Sequence, residues 1–156
     1  MRICFVCLGN ICRSPAAAAV FAHLAAEDGV EVTVDSAGTS RYHLGEDPHE
    51  HTAAEAARRG IAIDHRARQF TAADFERFDL VVAMDAANHR DLLRLAPDDD
   101  ARAKVVMLRS FADGADVGGD LDVPDPWGRP PAAYAEMYDL LDGACRGLVA
   151  HVRTRS

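Results

Sequence analysis

Cys7-Leu8-Gly9-Asn10-Ile11-Cys12-Arg13-Ser14-Pro15 joins a short apolar run, residues 2–6, to an alanine-rich segment of helical spacing. The β-branched and aromatic content of the run is that of a buried strand. Ser14-Pro15 predicts a helix entry, with the hydroxyl as N-cap and proline at the first helical position. Between strand and helix lie a thiol, a glycine and an arginine. A loop that ends on a helix N-terminus presents backbone N–H groups and the positive end of the helix dipole, so it suits an oxyanion such as phosphate. Leu8, Gly9, Asn10, Ile11, Cys12, Arg13 and Ser14 are the expected phosphate-binding residues, with Arg13 able to grip two oxygens at once.

Outward from the loop, residues 14–28 predict a helix with Val20, Phe21 and Leu24 on its core stripe, ended by Gly29. Residues 30–36 alternate as a half-buried strand, and Ala37-Gly38-Thr39 reads as a turn. Residues 52–60 predict a short helix, and 60–63 read equally as a connector or a short edge strand. Thr71-Ala72-Ala73-Asp74 is a capping-box pattern opening a short helix anchored by Phe75 and Phe78. Residues 79–84 form the continuous apolar run of a central parallel strand. Asp85 caps a helix that runs through Ala96 and is broken by Pro97, residues 104–108 are another buried strand, and 109–131 are a long acidic loop. The last helix spans 131–152, with Tyr134, Met137, Tyr138, Leu141, Cys145, Leu148 and Val152 as its apolar stripe. Strands alternating with helices predict one α/β domain over residues 1–156, a three-layer sandwich with a four-stranded parallel sheet in the order 2-1-3-4 and helices on both faces. That order puts the first strand at the topological switch point, where ligands bind beyond the carboxyl ends of the strands.

With 49% hydrophobic and 27% charged residues, the 156-residue chain can bury its own core, and no apolar run has the length to cross a bilayer. The apolar start is too short for a signal peptide, and Cys4, Cys7, Cys12 and Cys145 are too unevenly spaced for a disulfide framework. A cytoplasmic monomer is the expectation. A net charge of −8 argues against nucleic acid or an anionic membrane as partner, so any anion site must be positive locally against that field.

A phosphoryl group on this loop would sit above Cys7, whose sulfur attacks as thiolate, the form that a helix N-terminus and a guanidinium favour. The leaving oxygen then needs an acid, and the phosphocysteine needs a base for water. Asp113, Asp116, Asp120 and Asp122 sit among glycines and other acids as solvated loop residues. Asp125 differs: Pro124 and Pro126 stiffen its backbone and Trp127 supplies an aromatic wall.

Ser36-Ala37-Gly38-Thr39, His65-Arg66-Ala67-Arg68-Gln69, Asp74-Phe75 with Phe78-Asp79, Met84-Asp85 and Asp125-Pro126 join the Cys-x5-Arg-Ser-Pro loop in a pattern that resembles the low-molecular-weight protein tyrosine phosphatases over nearly the whole chain. The resemblance implies hydrolysis of phosphotyrosine in protein substrates, without cofactor or metal. It implies Cys7 as nucleophile, Arg13 as phosphate ligand and transition-state stabiliser, and Asp125 as general acid and then base. Asn10, Ser14, Ser36 and His65 match the network that supports the loop, and Cys12 matches a second cysteine able to form a reversible disulfide with Cys7. Ile11, Tyr42 and Trp127 are the expected pocket walls. The family commonly has two tyrosines after Asp-Pro, where this chain has Trp127-Gly128.

Other chemistries fit less well. Cys4-x-x-Cys7 lies partly inside a strand, whereas a redox dithiol opens a helix. His43, His49 and His51 lack metal-ligand spacing and read as solvated loop residues, and the aspartates of 109–131 do not form a calcium loop. Cys145 reads as packing. Thioredoxin-coupled arsenate reductases share the architecture but use further cysteines on a mobile segment. Protein arginine phosphatases resemble the chain with threonine in place of Ile11, whose apolar side chain favours a phenyl ring. A phosphate-binding module without catalysis needs neither Cys7 nor Asp125.

Overall fold

The computed structural model describes residues 1–115 and 118–155. Four parallel strands, β1 (Arg2–Cys7), β2 (Thr33–Gly38), β3 (Leu80–Ala83) and β4 (Val105–Met107), form one sheet in the order β2-β1-β3-β4. The helices are α1 (Arg13–Glu27), α2 (Glu50–Arg58), α3 (Asp74–Arg77), α4 (Ala86–Leu95), α5 (Asp99–Ala103) and α6 (Pro131–Arg153). β1 is buried on both faces because its side chains alternate between two cores. Ile3 and Phe5 join Val20, Phe21 and Leu24 of α1 and the stripe of α6, while Cys4 and Val6 join Phe75, Phe78, Leu92 and Ala101 on the other face. The expected three layers and strand order are thus present.

Several boundaries differ from expectation. β2 begins at Thr33 and runs through Ala37 and Gly38, the residues read as a turn. Parallel pairing is the reason: Arg2 pairs with Thr33 and Cys7 with Gly38, so the chain before Thr33 has no neighbouring strand. Val30 and Val32 still pack against the α1–α6 core. Residues 60–63 form a connector, with Ile61 and Ile63 packed on the same core. The Thr71 pattern yields only the four-residue α3, and its cap is one-sided: the Asp74 carboxylate accepts from Thr71 N at 2.8 Å and from the Thr71 hydroxyl at 3.3 Å. α5 was not foreseen. It is capped by Asp98, which accepts from Ala101 N at 2.8 Å. The 109–131 loop starts with a 3-10 turn, Leu108–Phe111.

Gly38 brings β2 against the loop that follows β1. A Cβ there would lie 2.7 Å from Leu8 O and 3.2 Å from Asn10 Cβ, so only glycine permits the approach.

Candidate active site

The loop after β1 turns at Asn10, a non-glycine residue with φ of 59°, which asparagine tolerates better than most side chains. α1 then begins at Arg13, not at Ser14. Cys12 occupies the cap position without a side-chain cap, and Pro15 stands third in the helix. Ser14 is released from the expected capping role because its hydroxyl is used inside the loop. It lies 2.9 Å from Cys7 Sγ and accepts from Asn10 Nδ2 at 2.8 Å. With Asn10 Nδ2 on its acceptor side, the Ser14 hydroxyl has its proton to share between Cys7 Sγ and Ala37 O, the latter 3.4 Å away. Asn10 N–H also reaches Cys7 Sγ at 3.3 Å.

Asn10 is the hub. Its Nδ2 also donates to Ser36 Oγ at 3.0 Å, and its Oδ1 accepts from His65 Nε2 at 2.7 Å and from Arg68 N at 3.0 Å. An amide oxygen only accepts, so His65 carries its proton on Nε2. Burial lowers the His65 pKa from its ordinary value, against the raising pull of Asp35, which keeps the ring neutral in this role. The structure therefore brings together all four expected support residues.

Arg13 is only 4% exposed. Its Nη1 donates to Asp85 Oδ2 at 2.6 Å and to Val123 O at 3.0 Å, and its Nη2 lies 3.8 Å from Asp125 Oδ2. Burial alone would depress its pKa, yet the Cys7 sulfur, Asp85 and Asp125 together raise it above the usual arginine value. Negative neighbours thus keep a buried guanidinium charged beside the loop. Asp125 remains 47% exposed; its Oδ1 accepts from Trp127 N at 3.1 Å, which leaves Oδ2 turned toward Arg13. A cleft of about 360 Å³ is lined by the whole stretch from Cys7 to Arg13 and by Asp125, Tyr42, His43 and Trp127. Tyr42 and Trp127 are the exposed rims, at 77% and 59%.

Cys12 is buried, and burial pushes its pKa up to about 11 despite the lowering effect of nearby hydroxyls of Thr52 and Tyr134. Among the described residues those two hydroxyls have no other hydrogen-bond partner. Cys4 and Cys145 are pushed higher still by burial and lie in the cores, consistent with packing roles.

Sequence reasoning missed several residues here. Asp85 is expected as a cap and as part of the Met84-Asp85 motif, with no contact to Arg13. Its Oδ1 does accept from Asn88 N at 2.7 Å, but its Oδ2 holds Arg13. His43, taken as solvated, lines the cleft with Nδ1 3.0 Å from Glu46 Oε2. His49 donates its N–H to Ile11 O at 2.8 Å and stacks on Tyr134, ring centroids 5.3 Å apart. Of the rejected acids, Asp113 is exposed, Asp120 accepts from Asp122 N at 2.9 Å, Asp122 accepts from Ala86 N at 2.9 Å, and Asp116 lies outside the described residues. Among the described residues no cluster of three or more His, Cys, Asp or Glu side chains could hold a metal.

The family profile described as "Low molecular weight phosphotyrosine protein phosphatase" matches residues 2–156. A low molecular weight protein-tyrosine-phosphatase of Streptomyces coelicolor is 49% identical over 154 residues, covering 97% of this chain and 93% of that protein. The solved structure of a protein tyrosine phosphatase from Entamoeba histolytica, with Hepes in its active site, superposes with a TM-score of 0.92 at 32% identity, covering 99% and 97% of the two chains. The YwlE arginine phosphatase of Bacillus subtilis, solved as a mutant with a phosphorylated active-site serine, has a TM-score of 0.87 at 31% identity, covering 98% and 96%.

Proposed function

The chain belongs to the low-molecular-weight phosphotyrosine protein phosphatase family, and from that premise we propose that it hydrolyses phosphotyrosine in proteins through a phosphocysteine on Cys7. The observation that supports this most directly is the convergence of Cys7 Sγ, the Arg13 guanidinium and Asp125 Oδ2 on one cleft. Phosphate oxygens take the loop and Arg13. The sulfur, held by Ser14 Oγ and Asn10 N, attacks phosphorus as the P–O bond to the phenol breaks, and Asp125 gives that oxygen its proton. As carboxylate, Asp125 then accepts a proton from the water that attacks phosphorus, the P–S bond breaks, and inorganic phosphate leaves with the thiolate restored. Arg13 meets the charge that grows on the equatorial oxygens. A phenol with a pKa of about 10 leaves more readily than a serine alkoxide, so aryl esters are favoured.

Ile11 supports tyrosine as the phosphorylated residue, because an apolar wall of the cleft suits a phenyl ring better than a guanidinium. The covalent step is supported by the phosphorylated active-site serine in the YwlE mutant. The four cysteines are all unpaired, and we place the enzyme in the reducing cytoplasm, acting on phosphoproteins as a monomer. Among the described residues no helix is long and apolar enough to cross a membrane.

Cys7→Ser should lower hydrolysis of p-nitrophenyl phosphate in EDTA by about a thousandfold or more. Undiminished turnover in that variant would sink the mechanism. On matched peptides, phosphotyrosine should exceed phosphoarginine and phosphoserine in kcat/KM by about tenfold or more. A preference for phosphoarginine would leave the Cys7 chemistry standing and reassign the substrate.

A further inference from the structure

Asp122, expected to be a solvated loop acid, makes a side-chain contact from the acid-bearing loop to α4, the helix whose N-cap Asp85 holds Arg13. Its Oδ1 accepts from Ala86 N, a first-turn N–H of α4 that has no partner within its own helix, at 2.9 Å. The N-cap of that same helix is Asp85, whose other oxygen grips Arg13. One helix end therefore carries two carboxylates: one fixes the phosphate-binding arginine and the other ties down the loop with Asp125. The positive end of the α4 dipole favours both charges.

The contacts around it engage the backbone of residues 122–123. Arg109 Nη1 donates to Asp122 O, Val123 N donates to Met84 O at 2.8 Å, and Val123 O accepts from Arg13 Nη1 at 3.0 Å. Asp125 follows two residues after this anchor, and Pro124 and Pro126 restrict the backbone in between and beyond. Residues 122–123 are thus the anchored backbone nearest before Asp125, whose own carboxylate accepts from Trp127 N and faces Arg13.

We infer that Asp122 is a positioning residue for general-acid catalysis, acting through Asp125 and not on substrate binding. The inference rests on the reading of Asp125 as the acid. A misplaced acid costs most where the leaving oxygen needs its proton most.

The test is a cycle of Asp122→Ala, Asp125→Ala and the double variant, assayed with phenyl phosphate and p-nitrophenyl phosphate. Asp122→Ala should lower kcat/KM, which reports the steps up to loss of the phenol and not the hydrolysis of the common phosphocysteine, by about tenfold for phenyl phosphate and by no more than about twofold for p-nitrophenyl phosphate, with inhibition by inorganic phosphate unchanged. On the Asp125→Ala background the same change should have no further effect, because the group it positions is gone. Asp122→Asn keeps an acceptor for Ala86 N and should recover most of the phenyl phosphate rate, which also guards against a folding defect in the alanine variant. Equal losses with both substrates, or an undiminished effect of Asp122→Ala on the Asp125→Ala background, would overturn the proposal while leaving Asp125 as acid. If Asp125→Ala itself shows no dependence on leaving group, the acid assignment falls and this inference falls with it.

Discussion

Cys12 shows how a residue visible in the sequence can have surroundings that the sequence does not reveal. Its place in the Cys-x5-Arg stretch marks it as a loop residue, but nothing local says that it is buried under Thr52 and Tyr134, 40 and 122 residues away in the chain. Burial holds its thiol near a pKa of about 11, so only a small thiolate fraction exists at neutral pH. Oxidation of Cys7 by peroxide gives a sulfenic acid, and attack by the Cys12 sulfur would form the disulfide with loss of water. The resolving step should therefore accelerate about tenfold per pH unit between pH 7 and 9, since thiolate rises in that proportion below its pKa. Trapped-thiol mass spectrometry over that range checks this. A pH-independent rate of disulfide formation would show that the Cys12 thiolate does not limit it. Asn10 enters the support network through the family resemblance alone; its positive φ, which asparagine tolerates, is visible only in the folded loop. Ser14 was misread as a cap because the competing partner, the Cys7 sulfur, comes from the strand end seven residues before it.

Among the elements, β1, β3, α1, α4 and α6 were readable because each carries its own signal, either a continuous apolar run or a stripe at helical spacing. β2 was not placed correctly. Its alternation is real, but the part that pairs is chosen by where β1 starts, and that information lies about thirty residues away. The same pairing presses Gly38 onto the phosphate loop, with a missing Cβ 2.7 Å from a backbone oxygen. Gly38→Ala must push strand and loop apart. A loss of about 1–3 kcal/mol in urea unfolding is expected, together with weaker inhibition by inorganic phosphate, because Asn10 lies against the same position. Unchanged stability and unchanged phosphate inhibition would show that the contact relaxes without disturbing the loop. α4 is the element whose role was least visible. Its cap could be read from Asp85, but the two charges that meet there, Arg13 and Asp122, arrive from opposite ends of the sequence.

Over the whole molecule, a chain of net charge −8 keeps one buried guanidinium, Arg13, beside the loop proposed to take phosphate, where loop N–H groups and the N-terminus of α1 add partial positive charge. Arg13 is buried with Asp85 and near Asp125, whose field keeps it cationic, while the excess carboxylates lie largely on the surface. The three layers and the site at the carboxyl ends of β1 and β3 followed from the alternation of elements. The docking of the long acidic loop did not, since it combines the Asp122 carboxylate on Ala86 N with contacts to the loop's own backbone at residues 122–123, which no side-chain periodicity records. That docking has a signature in time. Val123 is fully buried, and its N–H is bonded to Met84 O just past the end of β3. In a hydrogen-exchange experiment its amide should exchange at least about a hundredfold more slowly than that of Gly114 in the same loop. Fast exchange at Val123 would mean that the acid loop lifts from the sheet in solution. Slow exchange would mean that the catalytic acid rides on a segment that opens only when the end of β3 does.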